Sequence, residues 1–287
     1  MRNPSACSLA LLGVFAAAIA GCATSSGAAL GAKRSPVYST YETTVDTRTA
    51  RVSVDLEVNA LRSQSYVLAQ GEVELSNSSC ALTVLEMGTT VHELLAGGDL
   101  YVELPALARA TNSGKPWAEV VLRSGHEVGP GIVPTSALTE VDPLPLLDLL
   151  QLRPKSSVLV GKDNVSDQAS TEYRLMYAEA ELSHPVPAGA TVDQGAGVVG
   201  LLAQLARPVP KIFPIDIWLD SEGRLIQLAA SATLGEEPPS PSPAQAALAN
   251  SLPTTVSVQL DLGDFGAPVK LDVPAAAEVA RWPLSRL

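Results

Sequence analysis

Gly195-Ala196-Gly197-Val198-Val199-Gly200 has the glycine spacing of a dinucleotide-binding turn, and Asp220 lies about 20 residues beyond it, where a ribose-binding carboxylate would stand. That chemistry needs a strand running straight into the first glycine. Here Pro185, Pro187 and Gly189 precede a helix-capping pattern, so the glycines fall inside a helix and nicotinamide cofactor binding is not expected. His92-Glu93-Leu94-Leu95-Ala96 begins like a zinc-protease helix, but the second histidine ligand is replaced by Ala96 and the site cannot form. His126 and His184 read as turn residues beside Gly125 and Pro185. Asp220 and Glu222 read as turn formers that bond their own backbone, not as paired catalytic carboxylates. No nucleophile elbow or phosphate-binding loop occurs. The chain thus presents no catalytic constellation, no metal ligand set and no cofactor motif. An enzyme would need polar groups converging across the fold.

The thiols carry more information. Leu9 to Ala20 is an apolar run flanked by Arg2 and by small residues, the pattern of a secretory signal segment and too short to span a bilayer. It ends in Ile19-Ala20-Gly21-Cys22, which resembles the lipobox of bacterial lipoproteins, in which the cysteine is acylated and becomes the mature N-terminus. An ordinary signal peptide cut near Ala20 is the alternative. Residues 1–21 are then a signal peptide and 22–35 a lipidated flexible tether, small and polar with Gly27 and Gly31. The protein is expected on the extracytoplasmic face of the cell membrane, held through Cys22. With Cys7 removed and Cys22 acylated, Cys80 is left alone, in an apolar context that suits a buried structural thiol.

Composition narrows the class further. Of 287 residues, 46% are hydrophobic and 17% charged, enough for a large core. The 19 Lys and Arg against 30 Asp and Glu give a net charge of −11, which as a whole repels phosphate backbones and anionic lipid headgroups and excludes nucleic acid as a natural partner. Aromatics are only 4%, so any apolar pocket must be walled by aliphatic side chains.

These residues must be positioned by strands. Val52, Val54, Leu56 and Val58 alternate with Ser53, Asp55 and Glu57, the period of a strand with one wet face. The pattern returns around Val67–Leu75, Leu100–Leu104 and Trp117–Arg123, then at Tyr173–Leu182, Ile212–Leu219, Arg224–Thr233 and Thr255–Leu262, with Asp220–Gly223 as a tight connection. Roughly ten antiparallel strands result. Asp142-Pro143 can open a helix so rich in leucine that it must be covered on more than one side, and Thr191-Val192-Asp193-Gln194 can cap a second, with Val198, Leu201, Leu202 and Leu205. Tyr38–Thr47 is a third helix candidate, weakened by its threonines. Residues 236–253 form a Pro/Ser-rich loop. The domain is expected to run from 36 to 287 as one unit.

Several segments together resemble the actinobacterial LppX/LprG lipoproteins, relatives in fold of the LolA and LolB carriers. They are Leu104-Pro105-Ala106-Leu107 with Lys115-Pro116-Trp117, Thr171-Glu172-Tyr173-Arg174, Pro214-Ile215-Asp216-Ile217-Trp218 through Leu225, and Leu262-Gly263-Asp264-Phe265-Gly266-Ala267-Pro268-Val269 with Pro274-Ala275-Ala276. The resemblance implies an α+β, mainly β fold: a strongly curved antiparallel sheet of about ten or eleven strands, a half barrel, with two or three helices on its concave face and a lipid-sized cavity between. It also implies carriage of acylated lipid or glycolipid within the envelope. Leu147, Leu150, Val198, Leu201, Leu202 and Leu205 are the candidate cavity wall, joined by Val54 and Leu56 from the sheet. The rival expectation is a lipidated interaction module with a filled core and an envelope protein as partner.

Overall fold

Alternation of β-branched and polar residues makes Thr49–Ala60 a strand (β1) that buries Val52, Val54 and Leu56 on one face and leaves Ser53, Asp55 and Glu57 partly open on the other. The computed structural model describes residues 36–60, 63–86, 88–111, 113–120, 143–178, 212–234 and 254–281. Twelve strands make one open, curved sheet. They are β1, β2 (Ser63–Glu74), β3 (Ser79–Glu86), β4 (Thr89–Ala96), β5 (Asp99–Glu103), β6 (Trp117–Val120), β7 (Ser156–Val165), β8 (Gln168–Ala178), β9 (Ile212–Leu219), β10 (Leu225–Leu234), β11 (Thr254–Gly263) and β12 (Val279–Arg281). Their order is β12-β6-β5-β4-β3-β2-β1-β11-β10-β9-β8-β7.

The mainly β fold with its large curved sheet is as expected, with two refinements. The strands among the described residues number twelve, and the sheet is not wholly antiparallel: β12 runs parallel to β6, Val279 opposite Trp117. The parallel edge follows from connectivity. After β11, in the middle of the sheet, the chain crosses the polar face as an extended strap. Gly266 donates to the Thr49 carbonyl at 2.9 Å and Lys270 N–H to Glu72 Oε2 at 2.9 Å, before the chain joins the far edge, where Lys115 Nζ reaches the Val279 carbonyl at 2.7 Å. Along the strap Ala267, Val269 and Leu271 are half-buried while Pro268, Lys270 and Asp272 are exposed, the period of an extended chain lying on a surface. A row of the polar face formed by Glu72, Ala81, Leu94 and Tyr101 lies in its path, and Leu94 is buried there outside the main core.

Register puts the apolar residues of neighbouring strands on one face. Val54 stands opposite Ala69 and Leu260, Leu56 opposite Val67 and Val258, and Leu228 opposite Leu260 and Ile217. A bulge in β10, where register slips between Leu225 and Gln227, lets Leu225 and Leu228 point to the same face. Sheet curvature has a residue-level cause at Gly71: a Cβ there would lie 1.9 Å from the backbone carbonyl oxygen of Ala81, so only glycine allows β2 and β3 to approach as they do.

Three short helices are described: α1 (Thr40–Val45), preceded by a 3-10 turn at Pro36–Ser39; α2 (Ala106–Thr111); and α3 (Pro143–Asp148), continued by a 3-10 turn at Leu149–Gln151. Threonine is a poor helix former because its hydroxyl competes for backbone groups. In α1 that competition is resolved internally. Thr40 Oγ1 donates to the Pro36 carbonyl at 3.0 Å, Thr43 to Ser39 at 2.8 Å and Thr44 to Thr40 at 2.7 Å, so Thr40 and Thr44 can be fully buried. Thr44 Oγ1 also accepts from the Leu225 N–H at 2.9 Å, which fastens α1 to the sheet at the β10 bulge.

Candidate functional site

Pro143 opens α3 with a fixed φ, and the leucines that follow have no polar side to turn outward. Leu146, Leu147 and Leu149 are 0–2% exposed and Leu150 8%, all within the same apolar cluster as Val54, Leu56, Ile215, Leu228 and Val258 of the sheet. Of the candidate wall, Leu147, Leu150, Val54 and Leu56 are therefore brought together. Val198, Leu201, Leu202 and Leu205, with the helix that carries them, lie outside the described residues, as do Cys22, the signal segment, His126, His184 and the 236–253 loop. Tyr177 closes one side of the cluster, donating its hydroxyl to the Leu149 carbonyl at 3.1 Å and so tying the 3-10 turn to β8.

A second tie joins α1 to α3, where the Tyr41 hydroxyl bonds the Asp148 carboxylate, which also accepts from Gln151 Nε2 at 2.7 Å. Burial pushes the Asp148 carboxyl above its ordinary range, outweighing those two hydrogen bonds, which act the other way. Burial, and then the neighbouring Asp148 charge, raise the Tyr41 phenol as well.

Among the described strand residues, one fully buried charged side chain on the apolar face is not revealed by the sequence pattern. Glu93, 2% exposed, stands between Leu82 and Val102 in register with the core. The expected zinc-helix resemblance of His92–Ala96 fails at a more basic level than the missing ligand, because the segment is strand β4. His92 points to the polar face and shares a 3.1 Å hydrogen bond with Thr83. The signal for Glu93 was available in hindsight: in Val91-His92-Glu93-Leu94-Leu95 it occupies the alternate position between two apolar residues.

The polar face holds a groove of about 550 Å³ lined by Asp55, Glu57, Tyr66, Arg174, Met176, Asp216, Ser231, Ser257 and Gln259. Its charges satisfy one another. Arg174 grips Asp216 through two hydrogen bonds of 2.7 and 2.9 Å, which raise its guanidinium further. Tyr66 donates to Asp55 at 2.5 Å, and that bond, more than burial, pushes its phenol up to about 12. Gln64 donates to Glu57 at 2.7 Å, and amide bonds from Asn59 and Gln64 lower that carboxyl. Ser231 and Ser257 have no imidazole beside them in this lining.

Asp220 is structural, as expected. Its carboxylate accepts from the N–H groups of Glu222 and Arg224 at 2.9 and 3.0 Å and from Arg224 Nε at 2.7 Å, and Gly223 takes φ +82 to close the turn. Arg224 in turn lies 4.7 Å from the Phe265 ring centre. Cys80 is a fully buried thiol in no disulfide. Among the described residues no group of three or more His, Cys, Asp or Glu could hold a metal ion, and no helix is long and apolar enough to cross a membrane.

No family model matches the chain, and no curated protein matches its sequence. Solved structures do match in arrangement. Lipoprotein LppX of Mycobacterium tuberculosis shares 12% identity at a TM-score of 0.41, covering 82% of this chain and 98% of its own. LprF of Mycobacterium bovis shares 12% at 0.41, covering 84% and 96%. A putative outer membrane lipoprotein-sorting protein domain from Vibrio parahaemolyticus shares 10% at 0.26, covering 79% and 92%.

Proposed function

We propose that this protein is a membrane-anchored envelope lipoprotein that holds an acyl chain of a lipid or glycolipid between the apolar sheet face and the leucine-laden segments, and carries it across an aqueous gap. The supporting observation is the packing of the 143–150 leucines onto an almost wholly aliphatic sheet face. A chain of about 16 carbons costs on the order of 12 kcal/mol to expose to water, at about 0.8 kcal/mol per methylene, and an aliphatic wall removes that cost. Such walls discriminate poorly among acyl chains, so a headgroup would be read at the cavity mouth.

Leu147 and Leu150 leave almost no open surface against the sheet. In the carrier reading the 143–151 segment therefore lifts to admit a chain, releasing the ties to Tyr177 and Tyr41 that hold Leu149 and Asp148 within it. The same close packing favours a second reading, an interaction module with a filled core and an envelope protein as partner. Titration with a fluorescent fatty acid separates the two. The carrier predicts saturable binding that Leu150→Trp, which fills space at the least covered leucine, weakens at least tenfold. The module predicts no saturable binding in either protein.

Anchoring through Cys22, the signal peptide before it and the extracytoplasmic address belong to the same proposal, as does the absence of catalysis. Mass measurement of the mature N-terminus tests the anchor: a diacylglyceryl adduct on Cys22 supports it, and an unmodified N-terminus near Gly21 opposes it.

A further inference from the structure

Strand β7 ends the sheet and pairs, among the described residues, with β8 alone. Val158, Leu159 and Val160 on it are 55%, 61% and 48% exposed, three consecutive large hydrophobics. Elsewhere among the described residues the exposed large hydrophobics, Tyr38, Tyr66, Leu85, Ile212 and Val273, occur singly, which needs no explanation. Val158 stands opposite Arg174, on the polar face, and Leu159 opposite Tyr173, on the apolar face, so the apolar tip is open on both sides. From Arg153 to Lys162 there are three exposed cations, Arg153, Lys155 and Lys162, and no carboxylate, in a chain of net charge −11. Glu172 stands opposite Gly161, and Asp163 follows Lys162 with its carboxylate engaged by Trp218 Nε1 at 3.3 Å; Arg174 is committed to Asp216.

A strand added to this edge is the obvious occupant of unpaired backbone groups, yet the edge is built against it. Register slips between Leu159 and Gly161, and Lys162 follows at once, a bulge and a lysine that both oppose edge-to-edge pairing. An added strand would also leave side chains open on the two faces. A lipid headgroup layer meets every feature together: the apolar tip reaches the acyl boundary, the cations meet lipid phosphates, and the edge N–H and C=O groups stay in the hydrated zone.

We propose that the β7 edge, with Val158, Leu159 and Val160 flanked by Arg153, Lys155 and Lys162, is a docking surface for an anionic lipid bilayer. The inference stands whether or not an acyl chain is carried. The test uses residues 34–287, a compact unit of their own, so that neither leader nor anchor contributes. It measures co-sedimentation with vesicles of equal parts phosphatidylglycerol and phosphatidylcholine against phosphatidylcholine alone.

Binding to the anionic vesicles is expected, falling with added salt. Each lysine at such a surface is worth roughly fivefold in partitioning, so Lys155→Glu with Lys162→Glu weakens binding at least tenfold. Val158→Ser, Leu159→Ser and Val160→Ser together do the same. Because these side chains are exposed, the urea midpoint is expected to hold in both variants, and the charge reversal carries the test should the serine variant misfold. A dye on Leu159→Cys, with Cys80 buried, shifts to the blue on anionic vesicles. Equal binding to both vesicle types, or unchanged binding in both variants, overturns the proposal. So does a wild-type dimer in the ultracentrifuge that the serine variant dissolves, which would assign the edge to strand pairing.

Discussion

Replacing Thr44 with valine keeps the shape of the side chain and removes its oxygen. In the folded protein that oxygen donates to the Thr40 carbonyl at 2.7 Å and accepts from the Leu225 N–H at 2.9 Å, with Thr44 fully buried. The Leu225 N–H lies at the β10 bulge, and without Thr44 it is left unpaired in the core. A buried donor stripped of its acceptor costs about 1–3 kcal/mol, and loss of the second bond about 1 kcal/mol more, partly offset by the added methyl. Thr44→Val is therefore expected to lose about 2–3 kcal/mol, a fall in urea midpoint of about 1 M if the slope is near 2–3 kcal/mol per M. Thr44→Ser keeps both hydrogen bonds and deletes one methyl, at about 1 kcal/mol. The comparison is urea unfolding of the two variants and the parent, followed by far-ultraviolet circular dichroism. A valine variant as stable as the serine variant would refute the view that α1 is fastened to the sheet by this hydroxyl.

Three further outcomes follow from the geometry. Gly71→Ala is expected to cost about 3 kcal/mol or more, because its Cβ would meet backbone at 1.9 Å, whereas Gly161→Ala, with nothing within 4 Å, should stay within about 0.5 kcal/mol; equal midpoints in urea would contradict the curvature assigned to Gly71. Asp148 is held above its ordinary carboxyl range, so its contribution is fully present in acid and is lost as pH rises through the folded value. Asp148→Asn should thus match the parent near pH ~3 and exceed it at neutral pH by under about 1 kcal/mol, solvent screening included; a variant less stable at neutral pH than in acid, relative to the parent, would reverse the sign. Asp220→Asn should lose about 1–3 kcal/mol and leave fatty-acid binding unchanged, since Asp220 orders a turn and its hydrogen bonds go to none of the described candidate wall residues; impaired binding at full occupancy of the folded state would place the turn in the site.

The parts of the fold legible in the sequence are those where one face is wet and the other dry. Val52, Val54 and Leu56 announce β1, Ile212–Leu219 is β9 as read, and Asp220–Gly223 is the connection its residue types predict. Pro143 and the leucines marked α3. Strand β7 was missed because both of its faces are exposed, so no alternation is written into it. Strand β4 was obscured by Glu93 on its apolar face and by a histidine-glutamate pair that suggests a helix. Strand β12 could not be read at all, since its three residues pair in parallel with β6 across most of the chain, and nothing local encodes that meeting. The candidate wall was legible as hydrophobic character; that Leu147 and Leu150 join the same apolar cluster as Val54 and Leu56 depends on the ties at Tyr177 and Tyr41, which are tertiary.

Native mass spectrometry of residues 34–287, exported behind a cleavable secretory leader, purified from a bacterial envelope and electrosprayed intact, tests the central claim most directly. The account predicts a population heavier than the bare chain by the mass of one acylated lipid, released on collisional activation and displaced by added fatty acid. A single species at the mass of the chain, unchanged when fatty acid is supplied in excess, would contradict it.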